Sequence, residues 1–313
     1  MKNRVVCLMG PTASGKTALS LALAGSLPVE IVNVDPAQIY RGMAIGSGMP
    51  DKAARTQVPH HLMDCLDPST PYSAAQFRLE AIGVIQGIIA RGHLPLLVGG
   101  TMLYFKALQS GLSDLPGSDP GVRVALEEAL SQQGLAALYA QLGQVDPITA
   151  ARLSPTDPQR IVRALEVYAI TAKPLSYWLA QPKGPQLPYQ FLNIGLVPLT
   201  TPREVLHARI AQRFDEMLSS GLVAEAELLL SRPDLDNTKP AMRAVGYRQI
   251  YTYLQGESTF EQMRLAAIAA TRQLAKRQLT WIRSWPEITL FDFLDPQLNE
   301  KVLRCISSRP SPK

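Results

Sequence analysis

The chain has 313 residues and a mass of 34.2 kDa, and its 46% apolar content excludes a disordered protein and allows about two domains. A balance of 31 Lys and Arg against 26 Asp and Glu leaves +5 and a pI of about 9.1, which excludes an acidic solvating protein and permits a polyanionic partner without requiring one. Three scattered cysteines, Cys7, Cys65 and Cys305, form no CxxC pair and so build neither a disulfide framework nor a Cys-rich zinc site.

In chain order, the apolar run Val5–Met9 reads as a buried strand. It ends at Gly10 after too few residues for a signal peptide, and no run approaches the ~18 apolar residues of a membrane span. A reduced, soluble, cytoplasmic chain is the expectation. A helix is expected over Lys16–Leu27, a strand over Ile31–Val34, a helix over Ala74–Arg91 and a strand over Leu94–Val98. In the second of these helices Phe77, Ala81, Ile82, Ile85, Ile88 and Ile89 follow a 3.6-residue period. This alternation predicts an α/β fold, a parallel sheet core flanked by helices with right-handed crossovers, and the Gly10–Thr17 run after the first strand makes it P-loop NTPase-like.

The alternation stops after Gly111. Residues 112–188 carry helical patterns at Val122–Gln133 and Arg160–Thr171, interrupted by nine prolines, and read as a helical insertion domain. The core is thus expected in two parts, 1–111 and 189–313, resuming with a strand at Leu192–Val197. Thr201-Pro202-Arg203-Glu204 reads as a capping box with proline at the first helical position, and Gly221 as the stop of that helix. A long basic helix follows over Thr259–Trp285, and the tail after Ser307, with Pro310 and Pro312, is expected to fray.

The strongest chemical signal is the run Gly10, Pro11, Thr12, Ala13, Ser14, Gly15, Lys16 and Thr17, a full match to G-x-x-x-x-G-K-[ST] between a strand and a helix. Its backbone N–H groups and helix N-terminus suit a diphosphate or nucleotide phosphate. Lys16 adds a point charge, and the Thr17 hydroxyl is placed to bind Mg²⁺. The strand Leu94–Val98 ends in Gly99-Gly100-Thr101, without the acid that a P-loop ATPase usually offers there. Asp35 closes the strand before it. Carboxyl ends of parallel strands converge on one crevice, so Gly10, Asp35 and Thr101 should share a site. Asp35 followed by Pro36 also suits a simple turn, and Thr101 a helix N-cap. A carboxylate facing a phosphate cradle fits a kinase base, and it fits equally a transferase that expels diphosphate.

Arg264, Arg272, Lys276, Arg277 and Arg283 stand on the long helix with no acid between them and Trp281 interleaved, a pattern that suits a phosphate backbone and a stackable base. A solvated helix face has the same pattern. The adjacent His60 and His61 point to opposite faces of an extended segment, which favours satisfied loop or core residues over a metal pair.

Several ordered segments carry a resemblance. Gly10–Thr17, Val34-Asp-Pro-Ala-Gln38, Pro59-His-His-Leu, Val98-Gly-Gly-Thr-Met-Leu-Tyr, Asp157-Pro-Gln-Arg-Ile-Val-Arg-Ala-Leu-Glu, Met242-Arg-Ala-Val-Gly-Tyr-Arg and Thr271-Arg-Gln-Leu-Ala-Lys-Arg-Gln together resemble the bacterial tRNA dimethylallyltransferases, from about residue 5 to 290. The resemblance implies transfer of a dimethylallyl group from dimethylallyl diphosphate to N6 of the adenosine 3′ of the anticodon. It implies that the P-loop holds the donor diphosphate, that Asp35 is the general base with Lys16 and Thr101 beside it, and that the chain acts as a monomer. It further implies tRNA contacts at Asp35, Pro36, Ala37 and Gln38, at Thr101 and Arg123, and at Gln159, Arg160, Ile161, Val162 and Arg163. The same holds for Arg243, Ala244, Val245, Gly246, Tyr247 and Arg248, and for Lys276, Arg277, Gln278, Leu279, Thr280, Trp281, Ile282 and Arg283. Pro36, Met49 and Ala172 depart from the family's usual Ser, Lys and Gly. No Cys/His finger follows the basic helix, which separates the chain from the longer zinc-bearing relatives. An isopentenyltransferase of free adenine nucleotides and a P-loop small-molecule kinase are the alternatives.

Overall fold

The computed structural model describes residues 3–182 and 186–308. The chain divides into two compact units, Met1–Gln109 with Leu187–Lys313, and Ser110–Gln186. The first unit opens with β1 (Arg4–Met9), α1 (Lys16–Ala24), β2 (Val29–Val34), α2 (Lys52–Gln57), β3 (His60–His61), α3 (Ala74–Ala90), β4 (Leu94–Gly99) and α4 (Met102–Ser110). The second unit holds α5 (Pro120–Val145), α6 (Pro147–Arg152), α7 (Pro158–Thr171) and α8 (Leu175–Ala180). The first unit then resumes with β5 (Gln190–Val197), α9 (Arg203–Ser219), α10 (Leu222–Leu230), α11 (Tyr247–Leu254), α12 (Phe260–Arg283), β6 (Ile288–Asp292) and α13 (Leu298–Ser307).

All six strands lie parallel in one sheet, in the order β3-β2-β4-β1-β5-β6. Val5 to Met9 of β1 are fully buried because helices cover both faces of a central parallel strand, which is why the sequence there is an unbroken apolar run. The order places the carboxyl ends of β2, β4 and β1 side by side, so three successive loops open on one edge. Among the described residues no helix is long and apolar enough to cross a membrane.

The structure differs from the sequence reading at several places. β3 and β6 were not expected, β3 because two histidines carry no apolar signal and β6 because a five-residue edge strand with Thr289 at its second position is barely periodic. α1 stops at Ala24 rather than Leu27, since Leu27 precedes Pro28 and is biased away from the helical region. The capping box at Thr201 does not form. Asp292, at the end of β6, accepts the Thr201 hydroxyl and the N–H groups of Leu199, Thr200 and Thr201, leaving Pro202 as an N-cap without a side-chain bond. A capping box does form at Thr259, where Thr259 and Gln262 bond reciprocally at the start of α12. Gly221 takes a φ of 98° between α9 and α10. The tail after Ser307 lies, apart from Ser308, outside the described residues.

At the other end of the strands, Glu30 of β2 is buried and accepts four bonds. Two come from Arg91 (2.9 and 2.7 Å), one from His61 Nε2 (2.6 Å) and one from His93 Nδ1 (2.8 Å). These donors, the Arg91 guanidinium first, hold its carboxyl down at about 2. A depressed folded-state pKa means stability that is complete above the ordinary value near 4.5 and is lost as the pH falls toward 2. Glu30→Gln is expected to cost about 2 kcal/mol at neutral pH, since Arg91 keeps partial access to water, and to flatten the acid limb of stability. Urea unfolding at pH 7 and pH 4 measures both.

The second unit has its own core of Leu138, Leu142, Ala150, Ile161, Val162, Ala164 and Leu165. α5 is broken at Gly134, whose φ of 80° and ψ of 164° no helix permits. α7 begins at Pro158 behind the Asp157 cap, and its buried Glu166 accepts from Arg163 (2.8 Å) and from Ser118.

Candidate active site

The P-loop joins β1 to α1. Ala13 and Gly15 adopt left-handed φ values of 63° and 82°. For Ala13 this conformation is tied down by Arg209 of α9, whose Nε donates to the Ala13 carbonyl at 3.0 Å. Lys16 Nζ donates to the Gly10 and Pro11 carbonyls at 2.9 and 2.7 Å, and so lies over the mouth of the loop. Burial and the neighbouring Arg213 bring the Lys16 ammonium down to about 7, against the opposing pull of Asp35.

Asp35 follows β2 directly. Its backbone is fixed by Asn33, which accepts from the Asp35 N–H at 3.0 Å and donates to the Asp35 carbonyl at 2.9 Å. One carboxylate oxygen, Oδ1, accepts the Ala37 N–H at 2.9 Å, so the turn expected at Asp35-Pro36 is present. The same carboxylate lies in the field of Lys16 and Arg213. Desolvation raises its pKa above the ordinary value against the lowering effects of the Ala37 N–H and the two cations. Asp35 is therefore both a turn former and an acidic group of the crevice.

The β4 loop completes the group. The Thr101 N–H donates to the Val34 carbonyl at 3.3 Å, and the Thr101 carbonyl accepts from Tyr104 at 2.9 Å as α4 begins. Gly99 cannot carry a side chain, because a Cβ there would lie 2.1 Å from the Val34 carbonyl oxygen. Thr101 and Asp35 thus hang from adjoining strand ends, with the P-loop on the next strand beyond.

Two arginines that sequence reasoning missed belong here. Arg209 and Arg213 stand four apart on α9, one on the P-loop and the other within the field of Asp35 and Lys16. Arg213 packs so closely on Gly48 that a Cβ there would lie 1.7 Å from its Nη2. The i,i+4 spacing beside buried Leu206, Ile210 and Phe214 was the available signal, but it does not say which sheet edge the helix faces. Glu225 of α10 was also missed. It accepts the N–H groups of Ala44, Ile45 and Gly46 at 2.8 to 2.9 Å and the Tyr247 hydroxyl at 2.6 Å, clamping the loop that carries Gly48.

The residues expected to touch RNA divide by exposure. Gln159, Arg160, Arg243, Arg248, Lys276, Arg277, Thr280, Trp281 and Arg283 are exposed. Pro36, Ala37, Ala244 and Val245 are half-buried, and Arg123 is half-buried and paired with Glu127. Other side chains are buried or bonded within the chain, and the buried Ile161, Val162, Tyr247, Gln278, Leu279 and Ile282 are corrected as side-chain contacts to RNA. Ile161 and Val162 lie in the core of the second unit, and Tyr247, Leu279 and Ile282 in that of the first, because a helix turns part of every contiguous stretch inward; Gly246, also buried, turns the chain into α11 with a φ of 97°. Gln38 is half-buried and donates to the Ser47 and Gly48 carbonyls. Arg163 is spent on Glu166 and the Pro116 carbonyl, and Gln278 on the two loops of the crevice. Arg264 leaves the cationic set too, since Asp215 holds it at 2.6 and 2.8 Å. Lys106 of α4 joins that set, 5.5 Å from the Trp281 ring. His60 bonds the Val58 carbonyl and His61 bonds Glu30, and no His, Cys, Asp and Glu group among the described residues could hold a metal.

Known proteins resemble this chain over nearly its full length. A family model described as IPP transferase matches residues 38–285, and one described as isopentenyl transferase matches residues 3–59. The chain is 52% identical over 309 residues to a tRNA dimethylallyltransferase of Ralstonia nicotianae, covering 97% of this chain and 95% of that protein. It is 50% identical to tRNA dimethylallyltransferase 2 of Hahella chejuensis, with coverage of 97% and 95%. Among solved structures it resembles the tRNA isopentenylpyrophosphate transferase of Bacillus halodurans, with a TM-score of 0.71, 36% identity and coverage of 98% and 96%. It also resembles a eukaryotic dimethylallyltransferase acting on tRNA, with a TM-score of 0.81, 26% identity and coverage of 99% and 81%.

Proposed function

The chain belongs to the IPP transferase family, and from that premise we infer that it transfers a dimethylallyl group from dimethylallyl diphosphate to tRNA. The acceptor on this reading is N6 of the adenosine 3′ of the anticodon, in a protein working as a cytoplasmic monomer. The observation that carries the reading is the convergence of a P-loop, Asp35 and Thr101 on neighbouring strand ends, with Lys16 and Arg213 as the cations between them.

The diphosphate of the donor lies on the N–H groups of the P-loop and the start of α1, facing Lys16 and Arg213. The adenine is swung out of the anticodon loop, because N6 cannot be alkylated within a stack. Thr101 holds the base edge. The N6 lone pair attacks C1 of the donor, the C1–O bond breaks, and the N6 proton passes to Asp35. Lys16, Arg213 and the loop N–H groups take up the negative charge that grows on the leaving diphosphate.

Thr17, in the first turn of α1, fits Mg²⁺ in the way this ion is commonly held, by one hydroxyl and the phosphate oxygens of the substrate. Bound there, Mg²⁺ supplies further charge neutralisation to the diphosphate. The exposed face of α12 and Lys106 supply the cations for the tRNA backbone.

The test is direct. Purified protein is incubated with radiolabelled dimethylallyl diphosphate and either bulk tRNA or AMP. Label in tRNA, mapped by nuclease digestion to the nucleoside beside the anticodon, is the expected result. Label on AMP alone overturns the tRNA assignment, and label transfer from γ-labelled ATP to a small molecule would revive the kinase.

A further inference from the structure

Gln278 lies among residues of α12 assigned to RNA, yet it points the other way. Its side chain is buried, its Oε1 accepts the N–H of Thr12 at 3.0 Å and its Nε2 donates to the carbonyl of Gly100 at 3.0 Å. Thr12 belongs to the P-loop, and Gly100 immediately precedes Thr101. A Cβ on Gly100 would sit 2.2 Å from Gln278 Nε2 and 3.1 Å from the Gly10 carbonyl oxygen, so the second glycine of the Gly-Gly-Thr turn is the space this amide occupies. Only a primary amide offers one acceptor and one donor at the end of a chain this long. A carboxylate brings two acceptors, and methionine brings no comparable donor or acceptor. The opposite side of the same helix carries the exposed Lys276 and Thr280, with Arg277 and Trp281 exposed on its flank.

We propose that Gln278 is a positioning residue for the transfer reaction, setting the separation between the diphosphate cradle and the Thr101 turn by bridging Thr12 to Gly100. The proposal rests on the transferase reading above and extends it. The two loops carry the two substrates, the donor on one and the accepting base on the other. A shift of about 1 Å between reacting groups costs a rate factor near 100, so a bridge between the loops acts on the chemistry without touching either substrate. It also makes the geometry of the crevice a property of the helix whose outer face is offered to RNA.

Gln278→Met keeps the length and removes both bonds. The expected result is a fall in kcat/KM for dimethylallyl diphosphate of about 100-fold, shared between KM and kcat, with tRNA affinity within about twofold of wild type. Gln278→Glu, which keeps the acceptor for Thr12 and opposes the Gly100 carbonyl, should fall between the two. Affinity for inorganic diphosphate, measured by calorimetry, should drop in the same order. Unchanged diphosphate affinity and turnover in Gln278→Met overturn the proposal. Lost tRNA affinity with normal diphosphate binding also overturns it, by making Gln278 an RNA contact. If Gln278→Met melts at room temperature, Gly100→Ala strains the same joint from the other side, and a normal KM and kcat in that variant overturns the proposal equally. A wild-type protein that transfers nothing to tRNA defeats the transferase reading alone, because the diphosphate titration needs neither prenyl group nor RNA.

Discussion

Asp35→Asn is expected to lower kcat for prenyl transfer by about a thousandfold, while tRNA and donor bind nearly as before. The substitution keeps an oxygen for the Ala37 N–H, so the turn after β2 survives, and removes the carboxylate proposed to accept the N6 proton. General bases contribute on the order of 10²–10⁴ in rate, and Asp35 has no second carboxylate at the end of β4 to stand in for it. The same residue gives the pH profile its acid side. Its pKa lies above the usual carboxylate range through desolvation, and only the ionised form accepts a proton, so kcat/KM falls as the pH drops through that raised value. On the alkaline side Lys16 titrates at about 7 in the free protein, and its neutral form holds diphosphate poorly, so kcat/KM declines again above neutrality. Bound diphosphate favours the ammonium, and kcat should hold to higher pH than kcat/KM. Single-turnover rates and steady-state profiles from pH 5 to 9 test both limbs. A wild-type rate in Asp35→Asn removes the residue from the mechanism.

Lys16→Met is expected to have the second largest effect, a loss of about 10²–10³ in kcat/KM for the donor. Two arguments set its size. The ammonium lies across the Gly10 and Pro11 carbonyls, at the place where the loop N–H groups converge, so its charge is delivered in a partly desolvated setting. Arg213 lies within reach of the same charges and supplies part of the stabilisation when Lys16 is absent, which keeps the loss below that of the base. The Lys16 and Arg213 substitutions are therefore expected to be non-additive. Equal kcat/KM in Lys16→Met and wild type would falsify the placement of the leaving group on the P-loop.

How far the sequence reached depends on how local the signal is. The P-loop is legible because strand, loop and helix follow within one short stretch, and the four long strands are legible because parallel strands buried on both faces are unbroken apolar runs. β3 and β6, short and half polar, exist only through their pairing with β2 and β5, which no local window contains. Asp35 and Thr101 could be found because both close strands of a parallel sheet. Arg209 and Arg213 could not, since nothing in α9 says that its basic pair faces the crevice rather than water. The segments resembling RNA-binding stretches were read as contiguous blocks, whereas helices have faces. Lys276 and Trp281 look outward from α12, and Leu279 and Ile282 lie in the core. Thr201 shows the opposite failure: its local capping signal was sound, and a distant carboxylate, Asp292, outbid it.

The bridge from Gln278 spans 266 residues to Thr12 and 178 to Gly100. Contacts of such separation close late, because the loop entropy must be overcome before they form. During synthesis the phosphate loop leaves the ribosome well before α12, the helix that ties it to its partner turn. A nascent or truncated chain that lacks α12 therefore displays the phosphate-binding sequence without the bridge that joins it to the Gly100 turn.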